Sequence, residues 1–220
     1  MTDIKAVIFD LDNTILDRTH TFKSFAASFL NHYFEQLESY EQQLALIIEL
    51  DQDGYKDKRE LFRELLDQLP WTAKPEHQEL MHFYSEHYVK SAVLFDQALE
   101  VIRHAKSKYK VGLITNGRTE IQYGKIDHLG LREHFDFIIV SEEAGVKKPD
   151  RRIFEAAWTE LNLRPEQCIY VGDHPVNDIE GASLAGLGTI WVQVNQPWRE
   201  ELTATPLHTI TRLDELLAIL

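Results

Sequence analysis

Two aspartates, Asp10 and Asp12, follow the short apolar run Ala6–Phe9. Two residues apart on an extended chain, they present both carboxylates to one side. Acids whose surroundings separate their pKa values can divide the roles of nucleophile and general acid. A pair of solvated turn aspartates has the same spacing, so the pair alone leaves both readings open. Three further segments carry reactive groups: Thr115, Asn116 and Gly117; Lys147, Lys148 and Pro149; and residues 172–178, which hold Asp173, His174, Asn177 and Asp178. Each segment by itself is ordinary turn chemistry. Together they supply acids, a hydroxyl and a lysine.

What would bring these segments to one place is a parallel sheet. The Ala6–Phe9 run reads as a buried strand. From residue 98 onward helices and strands alternate: helices near 98–107, 121–129, 153–161 and 176–185, strands at 111–114, 137–140, 169–171 and 189–194, and a last short helix at 213–219. Such alternation predicts an α/β fold, a Rossmann-like parallel sheet with helices on both faces. Ligands of such sheets bind beyond the carboxyl ends of the strands, where all four segments fall. Between them lies a stretch with little strand signal, in which Phe22, Phe25, Phe29, Leu44, Ile47, Leu61, Leu65, Leu80 and Phe83 recur at helical spacing. It predicts a helical insert of about four helices after the first strand. The expected division is a core of residues 1–16 and 93–220 with a helical insert of residues 17–92. Gly181, Ala182, Ala185 and Gly186 predict close helix–sheet packing, and Cys168 a buried spacer.

Composition narrows the partners. A formal net charge of −13 on 220 residues repels phosphate backbones, so nucleic acid is not an expected partner. A small anion can still be held locally by a metal ion, a lysine or a helix terminus. No run of ~18 apolar residues predicts a membrane span, and no leader is expected after Met1. With one cysteine there is no internal disulfide, which fits the cytoplasm. The ten histidines fall in no zinc-binding spacing.

DLDNT at Asp10–Thr14, ITNG ending at Gly117, KKPD around Lys148 and GDHPVND ending at Asp178, in this order, resemble the four motifs of the haloacid dehalogenase superfamily in its capped phosphatase branch. The resemblance spans the whole core, and the helical insert sits where that family carries its cap. It implies a magnesium-dependent phosphohydrolase acting through an aspartyl-phosphate intermediate. Asp10 would attack phosphorus. Asp12 would protonate the leaving oxygen and then activate water. Thr115 and the Asn116 backbone N–H would bind phosphoryl oxygens, with Gly117 permitting close approach, and Lys148 would balance charge on the transferring group. Magnesium would be held by Asp10, the Asp12 carbonyl and Asp173, with Asp178 ligating through water or orienting Lys148. His174 carries no role from the family and reads as a substrate contact or a helix-start residue.

The implied substrate is a small phosphorylated metabolite such as a sugar phosphate, a nucleotide or a phosphoglycolate-like acid. A haloacid dehalogenase lacks the second aspartate, so Asp12 argues against that branch. A phosphomutase shares the catalytic set. A phospho-accepting signalling switch combines similar residues but is shorter and uncapped, with its acceptor after a later strand. In the insert, Lys56, Lys58, Arg59 and Arg63, or Arg18, could face a leaving group. Otherwise the basic run is a solvated helix face paired with Glu60 to Glu64.

Overall fold

The structure, a computed structural model, describes residues 3–220. Six strands form one sheet: β1 Ala6–Phe9, β2 Lys110–Thr115, β3 Phe137–Val140, β4 Cys168–Gly172, β5 Gly188–Val192 and β6 His208–Ile210. Their order is β3-β2-β1-β4-β5-β6, and every pairing is parallel. The central strands are apolar throughout because both sheet faces are covered. On one face, Ile153, Phe154, Ala157 and Trp158 pack with Ala182 and Ala185 against Ala6, Ile8, Cys168 and Tyr170. The small residues there do allow close approach: a Cβ on Gly181 would lie 2.8 Å from Pro149 Cβ.

β1 is a switch point, with chain order running outward on either side. In register, Phe9 sits beside Leu113 of β2 and Val171 of β4. Asp10 therefore leaves β1 level with Gly172, one residue before Asp173. The Asp10 N–H donates to Val171 O at 2.9 Å, which extends the ladder to the nucleophile candidate itself.

The chain divides into two compact units, one of residues up to Asp17 with Leu94–Leu220, the other Arg18–Val93. The second contains α1 Arg18–Tyr33, α2 Tyr40–Asp51, α3 Lys58–Gln68 and α4 His77–Lys90. Its core is aromatic: Phe25 meets Phe62, Tyr84 and Tyr88 edge-on, with centroids 5.4–6.5 Å apart. Asp57 caps α3 by accepting from the Arg59 and Glu60 N–H groups.

The remaining helices belong to the first unit: α5 Ala98–Lys106, α6 Thr119–His128, α7 Ser141–Ala144, α8 Arg151–Glu160, α9 Gly181–Ala185 and α10 Leu216–Ile219. Three features differ from the sequence reading. β6 is an additional strand, three residues long with two of them exposed, too short for any periodicity to register. The helix expected at 176–185 begins instead as a π-helical turn, Pro175–Glu180, before becoming α9. The basic run in the helical unit is not a plain solvated face. Arg18 and Lys58 reach Asp51 at 2.6 and 2.7 Å, with Asp51 only 1% exposed, and Lys56 meets Glu64 at 2.6 Å; Arg59 and Arg63 are the exposed members.

Candidate active site

Parallel pairing puts the ends of β1, β2 and β4 at one edge, and the loops beyond them converge. Asp10 is buried there. Lys148 Nζ donates to Asp10 Oδ1 at 2.5 Å, to Asp178 Oδ1 at 2.7 Å and to the Tyr170 hydroxyl at 3.0 Å. Tyr170 in turn donates to Ile114 O of β2 at 3.1 Å. Three donors on one ammonium, each with an oxygen partner, satisfy a lysine that is 3% exposed. Burial pushes the Asp10 carboxyl up to about 7; Lys148 pulls the other way, and Asp178 and Asp12 add to the rise. Burial also opposes the charge on Lys148, but Asp10 and Asp178 outweigh it and hold the ammonium well above its usual range.

Asp10, Asp173 and Asp178 each offer a carboxylate oxygen within 4.8 Å of the others, and all three are buried. Several backbone features hold that arrangement. The His174 N–H donates to Asp178 Oδ2 at 2.9 Å, and Trp191 Nε1 donates to the Asp173 carbonyl at 2.8 Å. Gly172 lets Asp178 lie against the strand end: a Cβ there would stand 2.5 Å from Asp178 Cβ. His174 accepts the Val176 and Asn177 N–H groups on Nδ1 at 3.1 and 3.0 Å, so its ring caps the turn that carries Asp178. Three buried carboxylates clustered together, two of them on one ammonium, form an oxygen-only, electron-rich pocket, the donor set a hard divalent cation takes. The residues present therefore fit magnesium.

Thr115 and Asn116 follow β2. The Asn116 side chain clamps the Lys148 backbone by two bonds, Nδ2 to Lys148 O at 3.0 Å and Lys148 N to Oδ1 at 2.9 Å. One loop thereby fixes the other, a positioning role absent from the sequence reading. Gly117 donates to Ser141 Oγ at 3.0 Å, and a Cβ on it would press against Gln122 at 2.9 Å. Lys147 is exposed, while Cys168 is buried and its thiol is pushed up to about 11 by burial.

Asp12 has its own partners. Lys125 Nζ donates to Oδ1 at 2.6 Å and to Oδ2 at 2.7 Å, and Gln122 Nε2 donates to Oδ2 at 3.0 Å. The same amide nitrogen also donates to the Thr115 hydroxyl and, at 3.1 Å, to the Asn116 carbonyl. Neither Gln122 nor Lys125 was among the residues read from the sequence. A signal existed. In α6, Gln122 stands four residues before Ile126, and Lys125 four after Ile121, so both polar residues occupy the buried stripe.

A doubly wound parallel sheet with an aspartate-centred, cation-seeking site at its switch point defines a Rossmann-like α/β protein with its site at the carboxyl ends of the strands. Residues 7–192 match the haloacid dehalogenase-like hydrolase family, and the chain belongs to that family. It is similar to the glyceraldehyde 3-phosphate phosphatase of Methanothermobacter thermautotrophicus, 30% identical over 97% of this chain and 100% of the relative. The Pyrococcus furiosus protein of the same name is 28% identical over 100% of this chain and 94% of its own. The HAD-hydrolase YfnB from Bacillus subtilis, solved bound to magnesium, has a TM-score of 0.80 at 25% identity, covering 99% of each chain. The chain is accordingly a hydrolase of this family, and the relatives that align with it over nearly its whole length are phosphatases.

Proposed function

We propose that the chain is a magnesium-dependent phosphohydrolase that cleaves a three-carbon sugar phosphate such as glyceraldehyde 3-phosphate through an aspartyl-phosphate intermediate on Asp10. The observation that carries this reading is the position of Asp10: buried at the end of the switch-point strand, bonded to Lys148 and within reach of two further carboxylates. The Methanothermobacter and Pyrococcus relatives align over nearly their whole length and bear the name of a glyceraldehyde 3-phosphate phosphatase, which supports this substrate class.

Asp10, Asp173 and the Asp12 carbonyl would hold the magnesium, with Asp178 at its edge. When bound, the ion offsets charge on the phosphate and keeps Asp10 ionised. Asp10 attacks phosphorus while Asp12 delivers a proton to the leaving alkoxide. Asp12 then takes a proton from the water that hydrolyses the aspartyl phosphate. Thr115 and the Asn116 N–H bind phosphoryl oxygens. Lys148, fixed by Asp178, Tyr170 and the Asn116 clamp, stands beside the attacking oxygen to stabilise negative charge. The helical unit acts as the cap that selects the leaving group. Small phosphorylated metabolites are intracellular, and the cytoplasm is the proposed setting.

Phosphate release should be measured across a panel of phosphorylated metabolites with magnesium. Triose phosphates should rank first. A ranking led by nucleoside monophosphates, with triose phosphates inert, would reject the substrate class while leaving the chemistry in place.

A further inference from the structure

The Asp12 carboxylate is gripped on both oxygens by side chains of a single helix. Lys125 spans Oδ1 and Oδ2, and Gln122 adds a third bond to Oδ2. The lysine side chain is 2% exposed, whereas that of Asp12 is 23% exposed. A lysine this buried is retained only with a partner, because an isolated ammonium loses several kcal/mol of hydration. The buried stripe of α6 is Ile121, Gln122, Lys125 and Ile126, and its two polar members forgo apolar packing there. The gain lies in geometry. A carboxylate bonded through both oxygens cannot turn about its Cβ–Cγ bond. The Gln122 amide also reaches Thr115 and the Asn116 carbonyl, so the loop after β1 and the loop after β2 are tied to the same turn of helix.

We infer that Lys125, with Gln122, is a positioning residue that fixes the Asp12 carboxylate where the leaving oxygen and the attacking water must meet it. The inference rests on the proposed acid/base role of Asp12. Proton transfer requires heavy atoms within hydrogen-bond reach and aligned. Free rotation of an unheld carboxylate would dilute that alignment, and misplacement of about 1 Å can cost on the order of 100-fold. Lys125 does not touch substrate; it acts through Asp12.

The test is a double-mutant cycle on the full chain with magnesium, read on two substrates. Cleavage of glyceraldehyde 3-phosphate expels a basic alkoxide that needs a proton; cleavage of acetyl phosphate expels acetate, which barely does. Lys125→Met should lower kcat for glyceraldehyde 3-phosphate by roughly 10–100-fold, with KM nearly unchanged, and slow acetyl phosphate far less. Lys125→Arg should restore part of the loss, since a guanidinium can also span both oxygens. Gln122→Ala should shift the same ratio in the same direction by a smaller factor, and it serves if the Lys125 variant does not fold. In an Asp12→Asn background, Lys125→Met should add little, because the two act as a unit.

Equal slowing of both substrates by Lys125→Met or by Gln122→Ala, multiplying with Asp12→Asn, would overturn the positioning role and leave Asp12 as acid/base. If Asp12→Asn itself fails to discriminate between the substrates, the acid/base reading falls and the inference with it.

Discussion

Each unit of the protein buries a cluster of charges, and the clusters are opposite in design. In the helical unit one carboxylate, Asp51, is shared by two cations, Arg18 and Lys58, with Asp53 at 3.4 Å from Arg18. Two positive and two negative groups meet. At the sheet edge one ammonium, Lys148, pairs with Asp10 and Asp178, and a third carboxylate, Asp173, lies within 4.8 Å of both acids. Burying charge is costly in both places, and in the helical unit the ion pairs offset it internally. The core cluster leaves negative charge over; the Asp10 carboxyl rises to about 7 chiefly because it is buried, against the pull of Lys148, with Asp178 and Asp12 adding to the rise. A balanced buried cluster holds helices together; an unbalanced one calls for a ligand of the opposite sign. The helical cluster also accounts for the basic run of that segment, which pairs inward at Arg18 and Lys58.

The contrast is broken most directly at Asp10. Asp10→Asn should abolish turnover by about 10⁴-fold or more, as loss of a covalent nucleophile does elsewhere. It should leave circular dichroism unchanged, since the amide removes charge from an over-charged pocket. Steady-state turnover within tenfold of wild type would remove Asp10 from the chemistry. In the helical unit the effect should fall on stability instead. Asp51→Ala leaves Arg18 and Lys58 facing each other without their shared carboxylate. Breaking a buried pair of this kind costs about 3–5 kcal/mol, readable as an earlier unfolding transition in urea. An unshifted midpoint would show that this cluster contributes nothing.

Magnesium sharpens the comparison further. It should raise the thermal midpoint of the wild type, by about 2.7 kcal/mol of added stability at a hundredfold excess over Kd. Asp173→Asn should reduce that shift, and chelation should end phosphate release. The sign with pH is set by Asp10. Without the cation, the folded protein keeps a proton on this carboxyl up to about 7, whereas its ordinary value is 3.8. The stability of the cation-free protein should therefore fall as pH rises from the ordinary value through about 7. Cation binding should strengthen over the same window and release protons at pH 6, measurable by calorimetry in buffers of different ionisation enthalpy. Proton uptake on binding would contradict this.

The smallest expected effect is at Tyr170. Its hydroxyl meets the Lys148 ammonium and bridges to β2. Tyr170→Phe removes one of the three oxygens around the ammonium while keeping the ring that packs on Phe154. A hydrogen bond to a charged group is worth about 1.5–3 kcal/mol. With Asp10 and Asp178 still in place, the loss in kcat/KM should lie at the lower end, around tenfold. No change would mean that the two carboxylates alone position Lys148.

Much of this protein was legible without coordinates. Largely apolar runs of three to six residues, closed by acids or turn residues, marked five of the six strands, and the 3.6-residue rhythm from Phe22 to Tyr88 marked the helical insert. Both patterns are local, because a strand or helix shows its buried face in its own period. The residues at the strand ends were legible for the same reason: each sits where its element stops. β6 was missed because three residues, two of them exposed, carry no period, and the π-helical turn because its start is capped by the His174 ring, a contact no periodicity displays.

The sequence by itself determined the alternation of elements, the helical insert and the residue types at the strand ends. Tertiary structure alone decided which lysine serves which aspartate. Lys148 lies 138 residues from Asp10, and Lys125 lies 113 from Asp12. The two aspartates are near neighbours in the chain, yet parallel pairing brings a loop to one and α6 to the other. Proximity in sequence fixes a backbone direction; the partner of a buried charge is chosen by whichever element the sheet order sets beside it, since a buried charge must find its counter-charge in space.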